Sequence, residues 1–85
     1  MRVNKIAYSN QARKILLRIA VDDARLIRGK IEQYAQNPVS LSNNVKKLKD
    51  RDGLRLRIRD WRVVFREERE TIEVLIVGPR RSVYG

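Results

Sequence analysis

From Leu54 to Val77 the chain reads LRLRIRDWRVVFREERETIEVLIV, three apolar-alternating runs separated by short charged breaks. Successive side chains of a β-strand point to opposite faces, so Leu54, Leu56 and Ile58 define one buried face. The other face of that strand carries Arg55, Arg57 and Arg59. Asp60 marks a tight turn, after which Trp61, Val63 and Phe65 share one face and Arg62, Val64 and Arg66 the other. Glu67 to Glu70 reads as a hairpin tip. Thr71 to Val77 is apolar on both faces except at Glu73, which predicts a central strand covered on both sides and ended by Gly78-Pro79. A sheet that sets guanidinium groups in a row suits phosphates or carboxylates, because the planar fork matches their geometry.

The front half supplies the cover for such a sheet. Val3 to Tyr8 reads as a short strand, and Ser9 or Asn10 as the cap of a helix. Ala12, Ile15, Leu16 and Ile19 then follow helical spacing. Val21-Asp22-Asp23 reads as a break before a second helix with Ala24, Ile27, Ile31, Tyr34 and Ala35 on one face, stopped at Asn37-Pro38. Two amphipathic helices joined this closely predict a hairpin whose apolar stripes lie on the sheet. Val39 to Gly53 is polar and reads as a loop, its second half basic through Lys46, Lys47 and Lys49. The predicted fold is α+β, ordered β-α-α-β-β-β: a twisted, mainly antiparallel sheet with an N-terminal helix hairpin on one face, in a single domain over residues 1–85.

Charge narrows the partners. Twenty Lys and Arg against ten Asp and Glu leave a net charge of +10. The excess is concentrated, with nine basic and three acidic residues from Lys46 to Arg66. Such a balance favours a polyanion: nucleic acid, an acidic protein segment or an anionic membrane surface. No apolar run approaches the roughly 20 residues of a membrane helix, and the N-terminus shows no secretory pattern, so the expected compartment is the cytoplasm, without a membrane partner. The chain has no cysteine and no histidine, which removes thiolate and imidazole chemistry; neither a metal nor a small-molecule cofactor is expected.

Arginines, lysines and tyrosines therefore carry whatever chemistry there is. Arg55 and Arg57 lie two residues apart on a strand, with Cα atoms roughly 6.6 Å apart, a spacing able to track a nucleic-acid backbone. Arg59 has the same parity but sits at the turn. Arg62 follows Trp61, and stacking on the indole is one way to aim its fork; a core tryptophan with an exposed neighbour is the alternative, favoured by the parity Trp61 shares with Val63 and Phe65. Arg80 and Tyr84 are four residues apart in the tail, with Arg81 between them. Neighbouring cations lower a phenol's pKa toward usefulness as a base, yet by position alone Tyr84 is an aromatic plug of the core edge. Tyr8 and Tyr34 extend apolar faces and read as structural.

The run LKDRDGLRLRIRDWRVVF, the strand after it and the closing VGPRRSVY together resemble the RelE/ParE superfamily of type II toxin–antitoxin systems. The resemblance spans almost the whole chain, from the short strand ending in tyrosine and serine onward. The strand–turn–strand motif is common to the superfamily, whereas the closing Arg-x-x-x-Tyr is more specific to its RelE side. The resemblance implies a ribosome-dependent endoribonuclease that cleaves mRNA in the A site by 2′-hydroxyl attack, inhibiting translation. It implies that Tyr84 helps deprotonate the 2′-hydroxyl, that Arg62 and Arg80 neutralise the pentavalent phosphate, and that a strand cation such as Arg57 assists the leaving 5′-oxygen. Arg55, Arg59, Arg81, Lys47 and Lys49 are the expected accompanying RNA and phosphate contacts. A cognate antitoxin with an acidic, amphipathic segment is the implied protein partner, and the ribosome and mRNA are the implied targets. Two departures stand out: arginines occupy 55 and 57 where some relatives have lysine, and Pro79 stands where many have histidine. An arginine with pKa above 12 is a poor proton carrier. A gyrase poison on the same fold, or a non-catalytic RNA-binding domain, remain the alternatives.

Overall fold

The computed structural model describes residues 5–49 and 51–80. Its elements run β1 (Lys5–Tyr8), α1 (Asn10–Arg18), α2 (Val21–Gln36), a 3-10 stretch (Pro38–Asn44), β2 (Val45–Lys47), β3 (Leu54–Ile58), β4 (Trp61–Glu68) and β5 (Thr71–Pro79). The strands form one sheet in the order β1-β5-β4-β3-β2, with β1 parallel to β5 and every other pair antiparallel. The fold is α+β, as the patterning implies.

The alternation in β3 and β4 behaves as expected. Register pairs Leu54 with Phe65, Leu56 with Val63 and Ile58 with Trp61, so the apolar sets of both strands share a face. On that face they meet Ala12 and Leu16 of α1 and Ile27, Ile31, Tyr34 and Ala35 of α2 in one cluster, completed by Leu41, Ile72, Val74 and Val77. Tyr34 meets the edge of Phe65 with ring centroids 4.9 Å apart. At about 25 cal/mol per Å2 of apolar surface buried, this face carries the stability of the fold. Both helices lie on it.

Three expectations are corrected. The stretch Val39 to Gly53 is not all loop: Pro38 opens a 3-10 turn and Val45–Lys47 forms an edge strand on β3. Three residues with two lysines are too short and too polar for alternation to reveal. The helix break is Ile19-Ala20 rather than Val21-Asp22-Asp23; Ile19 takes extended backbone, and Asp22 and Asp23 sit inside the first turn of α2, where carboxylates complement the helix dipole. Finally, the apolar run in β5 does not reflect cover on both faces. Val64 pairs with Ile76 and Phe65 with Val74, so Leu75 is the extra residue of a β-bulge. The bulge shifts parity and puts Val74 and Val77 on the same buried side. β5 is internal, but β4 is the middle strand.

Helix α1 is bolted to that bulge. The Ser9 hydroxyl caps α1 by accepting from Ala12 N at 3.0 Å, and donates to Leu75 O at 2.6 Å. The Gln11 amide clamps Val77, accepting from its N–H at 3.0 Å and donating to its carbonyl at 3.1 Å. β1 pairs with β5 only as far as Val74, so Ser9 and Gln11 satisfy the β5 backbone where no strand continues. No described helix is long and apolar enough to cross a membrane.

Candidate functional site: an arginine cluster on the open sheet face

The face of the sheet turned away from the helices carries the polar set. Lys46 pairs with Arg55, Arg55 with Val64, and Arg57 with Arg62, whose other neighbour is Gly78. Directly paired residues across antiparallel strands have Cα atoms about 4.5–5.5 Å apart, so Arg57 and Arg62 emerge side by side. Arg80 is tied to the same end of the sheet, because its N–H donates to Asp60 O in the β3–β4 turn at 2.7 Å. Four of the eight proposed arginine and lysine contacts, Arg55, Arg57, Arg62 and Arg80, are thus brought together.

Arg62 is the anomaly among them. It is the one buried charged residue among those described, with 6% of its surface exposed. Its Nη1 donates to Trp61 O at 3.2 Å, but its buried Nε has no partner. Burial pushes the Arg62 pKa below the usual guanidinium value, and the charges of Arg80, Arg55 and Arg57 push the same way, opposed only by Asp60. Leaving a buried N–H unpaired costs about 1–3 kcal/mol, and native folds rarely accept it without a reason. A buried guanidinium with a free donor, ringed by further guanidinium groups, is a preorganised site for an anion. Phosphate fits, since its oxygens can accept from several forks at once.

The remaining candidates lie elsewhere. Trp61 packs against the core while Arg62 points to the opposite face, so the tryptophan does not stack on its neighbour. Lys47 pairs with Leu54 and lines a separate open cleft with Asp52, Gly53, Arg66, Glu67 and Glu68. Lys49 is exposed beyond the end of β2. Lys46, one residue away, is the lysine with the parity of the arginine face; the β2–β3 register is what singles it out, and the polar stretch around it hid that register. Arg59 occupies the turn with φ 53° and lines a cleft with Lys30, Leu41 and Arg57. Arg81 and Tyr84 lie outside the described residues. Tyr8 and Tyr34 are structural: burial raises both phenol pKa values, Arg28 stacks 5.1 Å over the Tyr8 ring, and Glu67 adds to the rise at Tyr34.

Comparison with known proteins gives the fold its structural neighbours and the sequence its family. The fold matches the archaeal RelE–RelB complex from Pyrococcus horikoshii OT3 with a TM-score of 0.75 at 23% identity, covering 96% of this chain and 99% of that one. It matches the RelB–RelE antitoxin–toxin complex from Methanococcus jannaschii with a TM-score of 0.73 at 22% identity, covering 92% and 94%. The toxin–antitoxin complex RelBE2 from Mycobacterium tuberculosis follows with a TM-score of 0.71 at 16% identity, covering 89% and 96%. At these identities the likeness speaks for the fold alone. No curated protein sequence matches the chain. The sequence model described as ParE toxin of type II toxin–antitoxin system, parDE, matches residues 6–84. With nearly its whole length matched, the chain belongs to the ParE toxin family of type II toxin–antitoxin systems, within the RelE/ParE superfamily.

Proposed function

We propose that this toxin is a ribosome-dependent endoribonuclease that cuts mRNA in the A site. The observation that supports the reading best is Arg62, buried with an unpartnered Nε beside Arg55, Arg57 and Arg80. In the reaction, the 2′-hydroxyl of one nucleotide loses its proton and attacks the adjacent phosphorus. The bond to the 5′-oxygen of the next nucleotide breaks and that oxygen takes a proton from water, leaving a 2′,3′-cyclic phosphate and a 5′-hydroxyl. Negative charge grows on the equatorial oxygens at the pentavalent stage, and Arg62 and Arg80 stabilise it. Arg57 favours departure of the 5′-oxygen by charge rather than by proton donation, as an arginine must. Tyr84 assists deprotonation of the 2′-hydroxyl. Arg55 and Arg81 hold flanking phosphates. Charge held in place in this way is worth about 3–4 kcal/mol per donor in the transition state.

A cognate antitoxin neutralises the toxin in the cytoplasm, as RelB accompanies RelE in the complexes of similar fold. An acidic, amphipathic segment fits this chain: Leu17 is 81% and Val21 64% exposed at the α1–α2 corner, with exposed Arg18 and Arg25 beside them.

The test is induced expression followed by mapping of mRNA 5′ ends. Cuts phased to the A site, lost in Arg62→Met and Arg80→Ala, are expected. Intact transcripts with DNA double-strand breaks would assign the toxin to gyrase. Intact transcripts with unaffected growth would leave only RNA binding.

A further inference from the structure

Next to the arginine face, a cleft of about 330 Å3 opens where β2 stops short. β2 pairs only with Leu54 to Leu56, so the edge of β3 from Arg57 onward carries no strand. The Asn44 amide reaches the Arg57 carbonyl there at 3.5 Å. Leu26 and Lys30 of α2, Leu41 and Asn44 of the 3-10 stretch, and Arg57, Ile58 and Arg59 line the space. Its chemistry is one-sided: three cations, one amide, three aliphatic side chains and no carboxylate. None of the three cations has an ion-pair partner among the described residues. An apolar floor with a cationic rim suits a nucleotide, whose base and ribose take the floor and whose phosphate takes the rim.

Arg59 adds a second observation. At φ 53° it holds a left-handed backbone that glycine adopts without cost and other residues avoid. An arginine kept at such a turn position, as a lining residue of the cleft, points to use of the side chain. Arg69, at φ 56°, is left-handed too, but lies in the β4–β5 turn at the far end of β4.

We propose that this cleft is a second nucleotide subsite, holding the nucleotide next to the phosphate bound at Arg62. Arg57 lines the cleft and pairs with Arg62, so one RNA strand runs from the open face over the end of β3 into it. Arg59 and Lys30 hold its phosphate, and Leu26, Leu41 and Ile58 support its base or ribose. The inference rests on the phosphate-binding reading of Arg62 and extends it by one nucleotide.

The test measures fluorescence anisotropy of a labelled 2′-O-methyl hexaribonucleotide, which binds without being cut, against the full-length toxin. Lys30→Gln with Arg59→Gly is compared with a control of equal charge loss, Lys14→Gln with Arg69→Gly. Both pairs relieve a left-handed turn, so neither should lower Tm. The cleft variant should bind the hexanucleotide about 10-fold more weakly. Its slope of log affinity against log salt should fall by about 0.7 for the one phosphate lost. The control should bind as the wild type does, and a labelled dinucleotide should not distinguish the cleft variant from it. Equal weakening by both pairs would show a general field and overturn the subsite, as would unchanged affinity in the cleft variant. Loss of antitoxin binding with RNA affinity intact would also overturn it, by assigning the cleft to protein. Arg62→Met separates the two levels: if it alone weakens binding, the phosphate site stands and the subsite falls. If it binds as tightly as wild type, the phosphate reading itself fails.

Discussion

Arg62→Met should make this protein more stable while abolishing its function. The guanidinium is buried, with Nε unpartnered, and removing that stranded donor returns about 1–3 kcal/mol. Methionine keeps an unbranched aliphatic stem, so most of the apolar contact survives. The bond from Nη1 to Trp61 O is lost, at about 0.5–1.5 kcal/mol. Repulsion from Arg55, Arg57 and Arg80 disappears as well. The net gain should be about 1–2 kcal/mol, as found when buried charges give way to apolar residues of similar size. For a domain of this length that raises Tm by about 5–15 °C. The sign with pH follows from the lowered pKa. The folded state binds this proton less tightly than the unfolded one, so the penalty is complete at any pH below the folded-state pKa and fades only as pH rises through it. Below that pKa the variant's advantage should therefore not vary with pH. Thermal melts in chloride and in sulfate at matched ionic strength test both halves. Sulfate at ten times its Kd should stabilise the wild type by about 1.4 kcal/mol and leave the variant unmoved. A variant that melts below the wild type in chloride, or gains as much from sulfate, would refute the argument.

Other perturbations probe the scaffold. Gln11→Ala strips the clamp from both backbone groups of Val77 and should cost about 1–3 kcal/mol in urea unfolding, with an unchanged m-value. Gly53→Ala should cost a similar amount, about 1–3 kcal/mol, because φ is +134° and the new Cβ would lie 3.2 Å from Phe65 O and 3.1 Å from Leu48 Cδ1. Tyr34→Phe keeps the edge contact with Phe65 but removes a phenol whose folded pKa is raised above 10.0 by burial and Glu67. The native phenol supports folding fully below pH 10 and progressively less as pH climbs toward its folded value, so the variant's unfolding should be less steep in alkali when followed by circular dichroism.

What the sequence makes legible here is what period and charge can carry. Leu54, Leu56 and Ile58 against Trp61, Val63 and Phe65 announce both the hairpin and the face it buries, because alternation leaves no other solution. The arginine face is read off by the same parity. Lys46 was hidden because membership of β2 depends on pairing with Leu56 and Arg55, distant in sequence and silent in propensity. The bulge at Leu75 was hidden because an unbroken apolar run has no phase in which a slip can show. Gln11 looks like an ordinary exposed helix residue until the end of β1 leaves Val77 in need of partners. Burial of Arg62 was equally out of reach. Parity put it on the open face, where an arginine is expected to be solvated, and only the assembled sheet shows that it is not.

That burial explains why the cluster is built on β4. Of the five described strands it is the middle one, laddered to β5 from Trp61 to Glu68 and to β3 from Trp61 to Phe65, and Arg62 is paired on both sides, with Arg57 and Gly78. A guanidinium at the sheet edge would relax toward water and give back much of its field to the solvent. At the centre it cannot, and a donor that does not move needs no reorganisation when charge develops on a phosphate in front of it. The helix-covered face has to supply the surplus that tolerates this. It does so with an apolar set drawn from both helices and every strand from β3 to β5, and with α1 fastened to β5 by Ser9 and Gln11. The two faces of one sheet thus have opposite duties: one lowers the free energy of the fold, and the other holds charge in the arrangement that water would otherwise dissolve. On this argument, substitutions that stabilise the protein most should cluster on the arginine face and cost activity, whereas stabilising changes at the turns, such as Arg69→Gly, should leave it intact.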